Sequence, residues 1–191
     1  MKRIPEFIIF TGPMFSSKTT KLLACLDRYK YQKRSIHAFK PQIDDRYSES
    51  EISTHSGWRQ PAQNIANGGE LLVNIRSLIN RKEPCDVIAV DEAFMIPDVG
   101  PALISLYRSG LTVVVSSLDM SSNCNPFDEM VVMLPYATRV EKCAAVCTVC
   151  GSDAPYTHRK VKGEQEIAVG GAEMYEPRCW RHHEISSRGE Y

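Results

Sequence analysis

Eight consecutive residues, Gly12-Pro13-Met14-Phe15-Ser16-Ser17-Lys18-Thr19, have types and an order suited to holding a polyphosphate. They follow the apolar run 7–10 and precede a helical pattern, and strand, tight loop, helix is the setting of a P-loop. Backbone N–H groups in such a loop point at phosphate oxygens, and the helix N-terminus adds partial positive charge. Lys18 is placed to reach the β- and γ-phosphates of ATP, and the Thr19 hydroxyl to hold Mg²⁺, with Thr20 next in the first turn. One position departs from the pattern. Ser17 stands where Gly is usual, and Gly serves there because the backbone needs conformations a side chain resists.

A second group of residues supplies acid. Residues 86–90, Asp-Val-Ile-Ala-Val, read as a strand that finishes in Asp91-Glu92. An apolar strand ending in carboxylates is the partner a P-loop expects: the first helps hold Mg²⁺, and its neighbour can serve as a base. A solvated acidic turn is the plainer alternative, and the strand before it argues against that.

A third group binds metal. Cys147-Thr148-Val149-Cys150 and Cys179-Trp180-Arg181-His182 form a CxxC and a CxxH, which suit one tetrahedral structural Zn²⁺. His183 rivals His182 as fourth ligand, but two intervening residues match the first pair better. Four of the seven cysteines fall after residue 142, and clustering in a chain whose charged N-terminus is unlike a signal peptide favours metal over disulfides.

The elements that position these groups follow from periodicity. Residues 7–10, 35–39, 86–90, 111–117 and 139–146 read as strands; residues 19–34, 69–81 and 99–109 read as helices. Residues 42–68 show no clear period and read as a long functional loop, and residues 119–128 as a polar loop. Strands alternating with helices imply an α/β fold with a parallel sheet covered on both faces, whose ligands sit at the carboxyl ends of the strands. The division expected is residues 1–142 for nucleotide binding and residues 143–191 for the zinc-binding unit.

Composition excludes some functions. The 191 residues carry 23 basic and 23 acidic side chains, and this neutrality argues against life on a nucleic-acid backbone. Residues 1–46 nevertheless hold a local excess of six positive charges, which suits a polyphosphate ligand. No run is long enough to span a membrane, so the expected location is cytoplasmic.

Taken together, the chain resembles the type II, zinc-containing thymidine kinases. The resemblance runs from about residue 7 to 182. It is carried by the Gly-Pro-Met-Phe-Ser loop, Asp44-x-Arg46-Tyr47, Asp91-Glu92 with Pro97-Asp98, Leu118-Asp119, Pro126-Phe127, Ala145-Val146-Cys147, Tyr156-Thr157, Gly170-Gly171-Ala172 with Tyr175, and the cysteine pairs. It implies a RecA-like domain, a zinc domain with a lasso loop over thymidine, and transfer of the ATP γ-phosphoryl to the 5′-hydroxyl. Glu92 would be the base. Asp91 would stand behind the metal, and Asp44 and Arg46 would steady the phosphates. Glu166, Ile167, Ala168, Val169 and Gly170 would bind the base through backbone, and Tyr175 would help close the sugar site. Met14, Leu118, Phe127 and Thr157 match pocket positions. The family is commonly tetrameric.

The chain also departs from the family. Ala93-Phe94-Met95-Ile96 follows the acidic pair where Gly-Gln-Phe-Phe is usual, and Met120-Ser121-Ser122 follows Asp119 where Gly-Thr-Phe is usual. Met95 and Ser122 thus stand at aromatic positions, and Phe94 or Phe127 is the candidate to turn inward instead. The rival functions are a kinase for another or a 5-substituted deoxynucleoside, a non-catalytic nucleotide binder, and a RecA-type DNA motor. Retention of Lys18, Thr19, Asp91 and Glu92 disfavours the binder, and neutral charge disfavours the motor.

Overall fold

The computed structural model describes residues 4–43, 51–54, 57–161, 167 and 169–184. Five residues named above, Asp44, Arg46, Tyr47, Glu166 and Ala168, lie outside the described residues.

Six parallel strands form the central sheet. They are β1 (Phe7–Thr11), β2 (Ile36–Pro41), β5 (Gln63–Ile65), β6 (Val87–Val90), β7 (Thr112–Ser117) and β8 (Arg139–Lys142), in the order β5-β2-β6-β7-β1-β8. β1, β6 and β7 are buried along their whole length, as near-continuous apolar runs in a doubly covered sheet must be. Successive side chains point to opposite faces. Ile8 and Phe10 meet Leu22, Leu23, Leu26 and Tyr29 of α1 (Lys18–Tyr31) on one face. Phe7 and Ile9 face the other side, with Leu71 and Ile75 of α2 (Gly68–Asn80), Leu103 of α3 (Val99–Arg108) and Met130 of α4 (Asp128–Met133). Each such fully buried side chain contributes about 1.5–3 kcal/mol.

Three expectations are corrected. Residues 42–68 contain a hairpin, β3 (Glu51–Ser53) with β4 (Arg59–Pro61), and then β5 on the sheet edge. Phe39 to Pro41 of β2 pair with Gln63 to Ile65, so the strand forms by pairing at a distance rather than from its own pattern. Residues 139–146 are two strands. β8 stops at Lys142, and β9 (Ala145–Val146) pairs antiparallel with β10 (Asp153–Ala154). Asp128 opens α4 instead of ending a loop. The Glu129 carboxylate accepts the Asp98 and Gly100 amides at 2.7 and 2.6 Å, tying α4 to the start of α3.

The last two strands, β11 (Tyr156–Arg159) and β12 (Tyr175–Arg178), pair antiparallel. The separate core in this region consists of Ala145, Cys147, Ala154 and Cys179. Four small side chains bury too little apolar surface to hold a fold, and in this size range a metal commonly supplies the rest.

Candidate active site

The phosphate-binding loop is shaped by its backbone. Gly12 has φ 136°, and a Cβ there would lie 2.1 Å from the Cys143 carbonyl oxygen, so no other residue fits. Phe15 and Ser17 are left-handed at φ 62° and 60°, while Met14 and Ser16 are not. Such alternation curls consecutive amides toward one side, making an anion nest ahead of α1. Ser17 therefore adopts the conformation for which glycine is the usual choice. The Pro13 carbonyl accepts from Ser16 Oγ at 2.8 Å and from Lys18 Nζ at 2.6 Å. Lys18 is only 7% exposed. Burial lowers its pKa, against the opposing pull of Glu92 and Asp91.

The acidic pair sits at the carboxyl end of β6. The Asp91 amide extends the sheet by donating to Phe39 O at 3.0 Å, and its side chain lies 3.2 Å from Thr19 Oγ1 through either oxygen. Burial, with Glu92 beside it, pushes the Asp91 carboxyl up to about 7. A cation between Thr19 and Asp91 would relieve that cost, so the two fit a Mg²⁺ site. Glu92 is left-handed at φ 50° and opens a 3₁₀ turn, Ala93–Met95, that the sequence pattern does not reveal.

Glu92 also lines a pocket, with Met14, Phe94, Met95, Leu118, Ser121, Ser122, Phe127, Thr157, Ile167, Gly170 and Tyr175. The space between these walls, open mouth included, is about 410 Å³. Of the expected substrate residues, Met14, Leu118, Phe127, Thr157, Ile167, Gly170 and Tyr175 come together here, and Val169 is not among the lining residues. Met95 and Ser122 do line it. The Phe94 and Phe127 rings pack tilted by 35° with centroids 4.6 Å apart and supply aromatic wall. Met14 N donates to Thr157 Oγ1 at 3.0 Å, which joins the phosphate loop to β11.

Sequence reasoning missed two features. Ser121 is buried in the wall, its Oγ accepting the Asn123 and Asn125 amides at 3.3 Å. Lys142 pairs with Asp119 at 3.0 Å across the ends of β8 and β7. The first is signalled only by the Ser-Ser-Asn turn chemistry, and the second by no local pattern.

The four expected metal ligands converge. The ligand atoms of Cys147, Cys150, Cys179 and His182 all lie within 4.8 Å of one another. Cys150 and Cys179 Sγ are 3.7 Å apart, and tetrahedral Zn²⁺ with Zn–S of ~2.3 Å sets its sulfurs ~3.8 Å apart. His182 Nδ1 is 3.2 Å from Cys179 Sγ and 3.7 Å from Cys147 Sγ. Three thiols and an imidazole are a donor set that suits zinc. His183 is outside this cluster.

Parallel sheet, phosphate loop and strand-end carboxylates define a P-loop nucleotide-binding protein with a Cys₃His cluster able to hold a metal ion. Residues 6–183 match the family model described as "Thymidine kinase". The chain is 37% identical over 182 residues to the thymidine kinase of Thermococcus kodakarensis, covering 92% of each. The chain belongs to the thymidine kinase family. Among solved structures it is similar to the genome packaging NTPase B204 of Sulfolobus turreted icosahedral virus 2. The sulfate complex gives a TM-score of 0.49 at 18% identity over 76% of each chain; the ATP-gammaS complex gives 0.48 at 17% over 75% of each. At TM-scores below 0.5 these add nothing to the assignment.

Proposed function

We propose that the protein transfers the γ-phosphoryl group of ATP to the 5′-hydroxyl of thymidine, giving dTMP. The observation carrying this reading is that Glu92 lines the same pocket as Met14 of the phosphate loop, while the adjacent Asp91 meets Thr19. A hydroxyl held in the pocket thus has a carboxylate and a residue of the phosphate loop in the same lining. Phosphoryl transfer needs positioning and charge neutralisation rather than a covalent enzyme intermediate.

In this reading the amides of residues 12–17 and Lys18 hold the phosphates. Thr19 and Asp91 are the side chains that would hold Mg²⁺, which when bound neutralises charge on the transferring group. Glu92 accepts the hydroxyl proton. Asp44 and Arg46 steady the phosphates, and backbone of residues 166–170 reads the thymine imide edge, with Tyr175 at the sugar. Residues 1–142 bind nucleotide, and residues 143–191 form the substrate-closing unit, with Cys147, Cys150, Cys179 and His182 as the side chains that would hold Zn²⁺. The protein works in the cytoplasm as a homo-oligomer, without nucleic acid. Among the described residues no helix is long and apolar enough to cross a membrane.

A second reading, preference for a 5-substituted deoxynucleoside, is favoured by Met95 and Ser122 in the pocket wall. The purified protein with Mg-ATP and a panel of nucleosides, scored for 5′-monophosphate, separates the two. Thymidine as best substrate supports the first reading, a larger 5-substituted deoxyuridine the second, and no product with any nucleoside contradicts both.

A further inference from the structure

His183 belongs to the turn that carries the metal ligands, since its amide donates to Cys179 O at 3.0 Å. Its side chain leaves that turn and is only 3% exposed. Nε2 lies 3.2 Å from Thr157 O, and Nδ1 lies 3.9 Å from Cys124 Sγ. A carbonyl can only accept, so Nε2 carries the proton and Nδ1 faces the thiol. The ring packs on Tyr156 at 5.1 Å and meets the His158 ring edge-on at 6.0 Å.

These partners belong to two separate walls of the nucleoside pocket. Thr157 is on β11, and its hydroxyl accepts the Met14 amide of the phosphate loop. Cys124 is left-handed at φ 63° and closes a tight turn, its amide donating to Ser121 O at 2.9 Å. Ser121 and Ser122 of that turn line the pocket. One buried imidazole therefore ties the metal-ligand turn to both walls.

We propose that His183 is a positioning residue for nucleoside binding, fixing Thr157 and the 121–125 turn at the separation the nucleoside needs. It touches neither substrate nor metal, and its effect falls on the nucleoside site rather than on the ATP site. Two polar contacts across one ring carry this: the donor holds β11, and the acceptor holds the turn.

The proposal rests on the nucleoside-kinase reading, and thymidine turnover by the unaltered protein tests that reading first. The metal-loaded full chain is then compared with His183→Phe, which keeps a ring but loses both polar contacts, and with His183→Gln, whose amide can donate to Thr157 O and accept from Cys124. His183→Phe should raise KM for thymidine about three- to tenfold, the scale of a lost buried hydrogen bond. KM for ATP, kcat and bound metal should stay unchanged, and His183→Gln should recover most of the loss. An unchanged thymidine KM in His183→Phe overturns the proposal. So does equal impairment in His183→Gln, or a parallel rise in KM for ATP with loss of metal. If His183→Phe does not fold, His183→Asn, too short to reach both partners, is read by the same criteria.

Discussion

Thr19 Oγ1 stands 3.2 Å from both carboxylate oxygens of Asp91. That contact fastens the start of α1 to the end of β6, two elements 72 residues apart in the chain. It places a hydroxyl and a carboxylate together where the phosphate loop ends.

The Asp91 carboxyl, pushed up to about 7 by burial and by Glu92, makes stability depend on pH. In the unfolded chain an Asp titrates near 3.9, so between about pH 4 and 7 the folded state binds more protons than the unfolded state. Stability therefore falls as pH rises through that window. Without added magnesium, unfolding at pH 5.5 should need more denaturant than at pH 8, and Asp91→Asn should flatten the difference. Asp91→Asn with an undiminished fall would place its origin elsewhere.

Ser17 is held at φ 60°, ψ 24°. Left-handed geometry costs a non-glycine residue roughly 1–2 kcal/mol, partly offset by the greater chain entropy glycine loses on folding. Ser17→Gly should raise stability by about 0.5–1 kcal/mol and leave nucleotide affinity intact, whereas Ser17→Val, branched at Cβ, should lower stability. Thermal unfolding with and without Mg-ATP reads both. A glycine variant less stable than the parent would show that Ser17 contributes more than backbone shape.

The Cys147, Cys150, Cys179 and His182 cluster should hold one Zn²⁺ per chain, read by elemental analysis of protein made without chelator. Structural zinc supplies about 10–16 kcal/mol of apparent binding energy in small zinc peptides. Cys179→Ser should thus lower the thermal midpoint and raise proteolytic sensitivity C-terminal to residue 142. The opposing result is full stability with no stoichiometric metal.

Met95 and Ser122 line the pocket, and the Phe94–Phe127 pair supplies its aromatic wall. The space left by an absent ring costs little when a larger base substituent fills it, whereas a tight pocket rejects that substituent by overpacking. Discrimination at the 5-position should therefore be weak, and Ser122→Phe should sharpen it toward thymidine. Ratios of kcat/KM for thymidine and larger 5-substituted deoxyuridines measure this. Ratios unaltered by Ser122→Phe would mean that Ser122 does not face the substituent.

Much of this architecture is legible because it is written locally. β1, the phosphate loop and α1 are contiguous, and β6 runs directly into Asp91-Glu92, so pattern and motif coincide. The CxxC and CxxH pairs carry their geometry in their spacing. What could not be read depends on distant partners. β5 is three residues long and exists because β2 pairs with it. α4 buries only Met130 and Met133, too few positions to mark a period. The break after Lys142 follows from β8 pairing with β1 and β9 with β10. Ser17 in a left-handed position reverses its usual preference, and the strain sits at the functional loop. His183 looked like a spare metal ligand because its partners, Thr157 and Cys124, are 26 and 59 residues away.

The central claim is that Glu92 accepts the proton of a thymidine 5′-hydroxyl as phosphate arrives from Mg-ATP. The most direct measurement is the single-turnover rate of dTMP formation by the parent protein and by Glu92→Gln, with nucleotide affinity measured on both. Glu92→Gln keeps the hydrogen-bonding reach and removes the acceptor. The expected result is dTMP from the parent, a rate lower by about 10²–10⁴-fold in the variant, and unchanged ATP affinity. No dTMP from the parent, or equal rates in the two proteins, would contradict it.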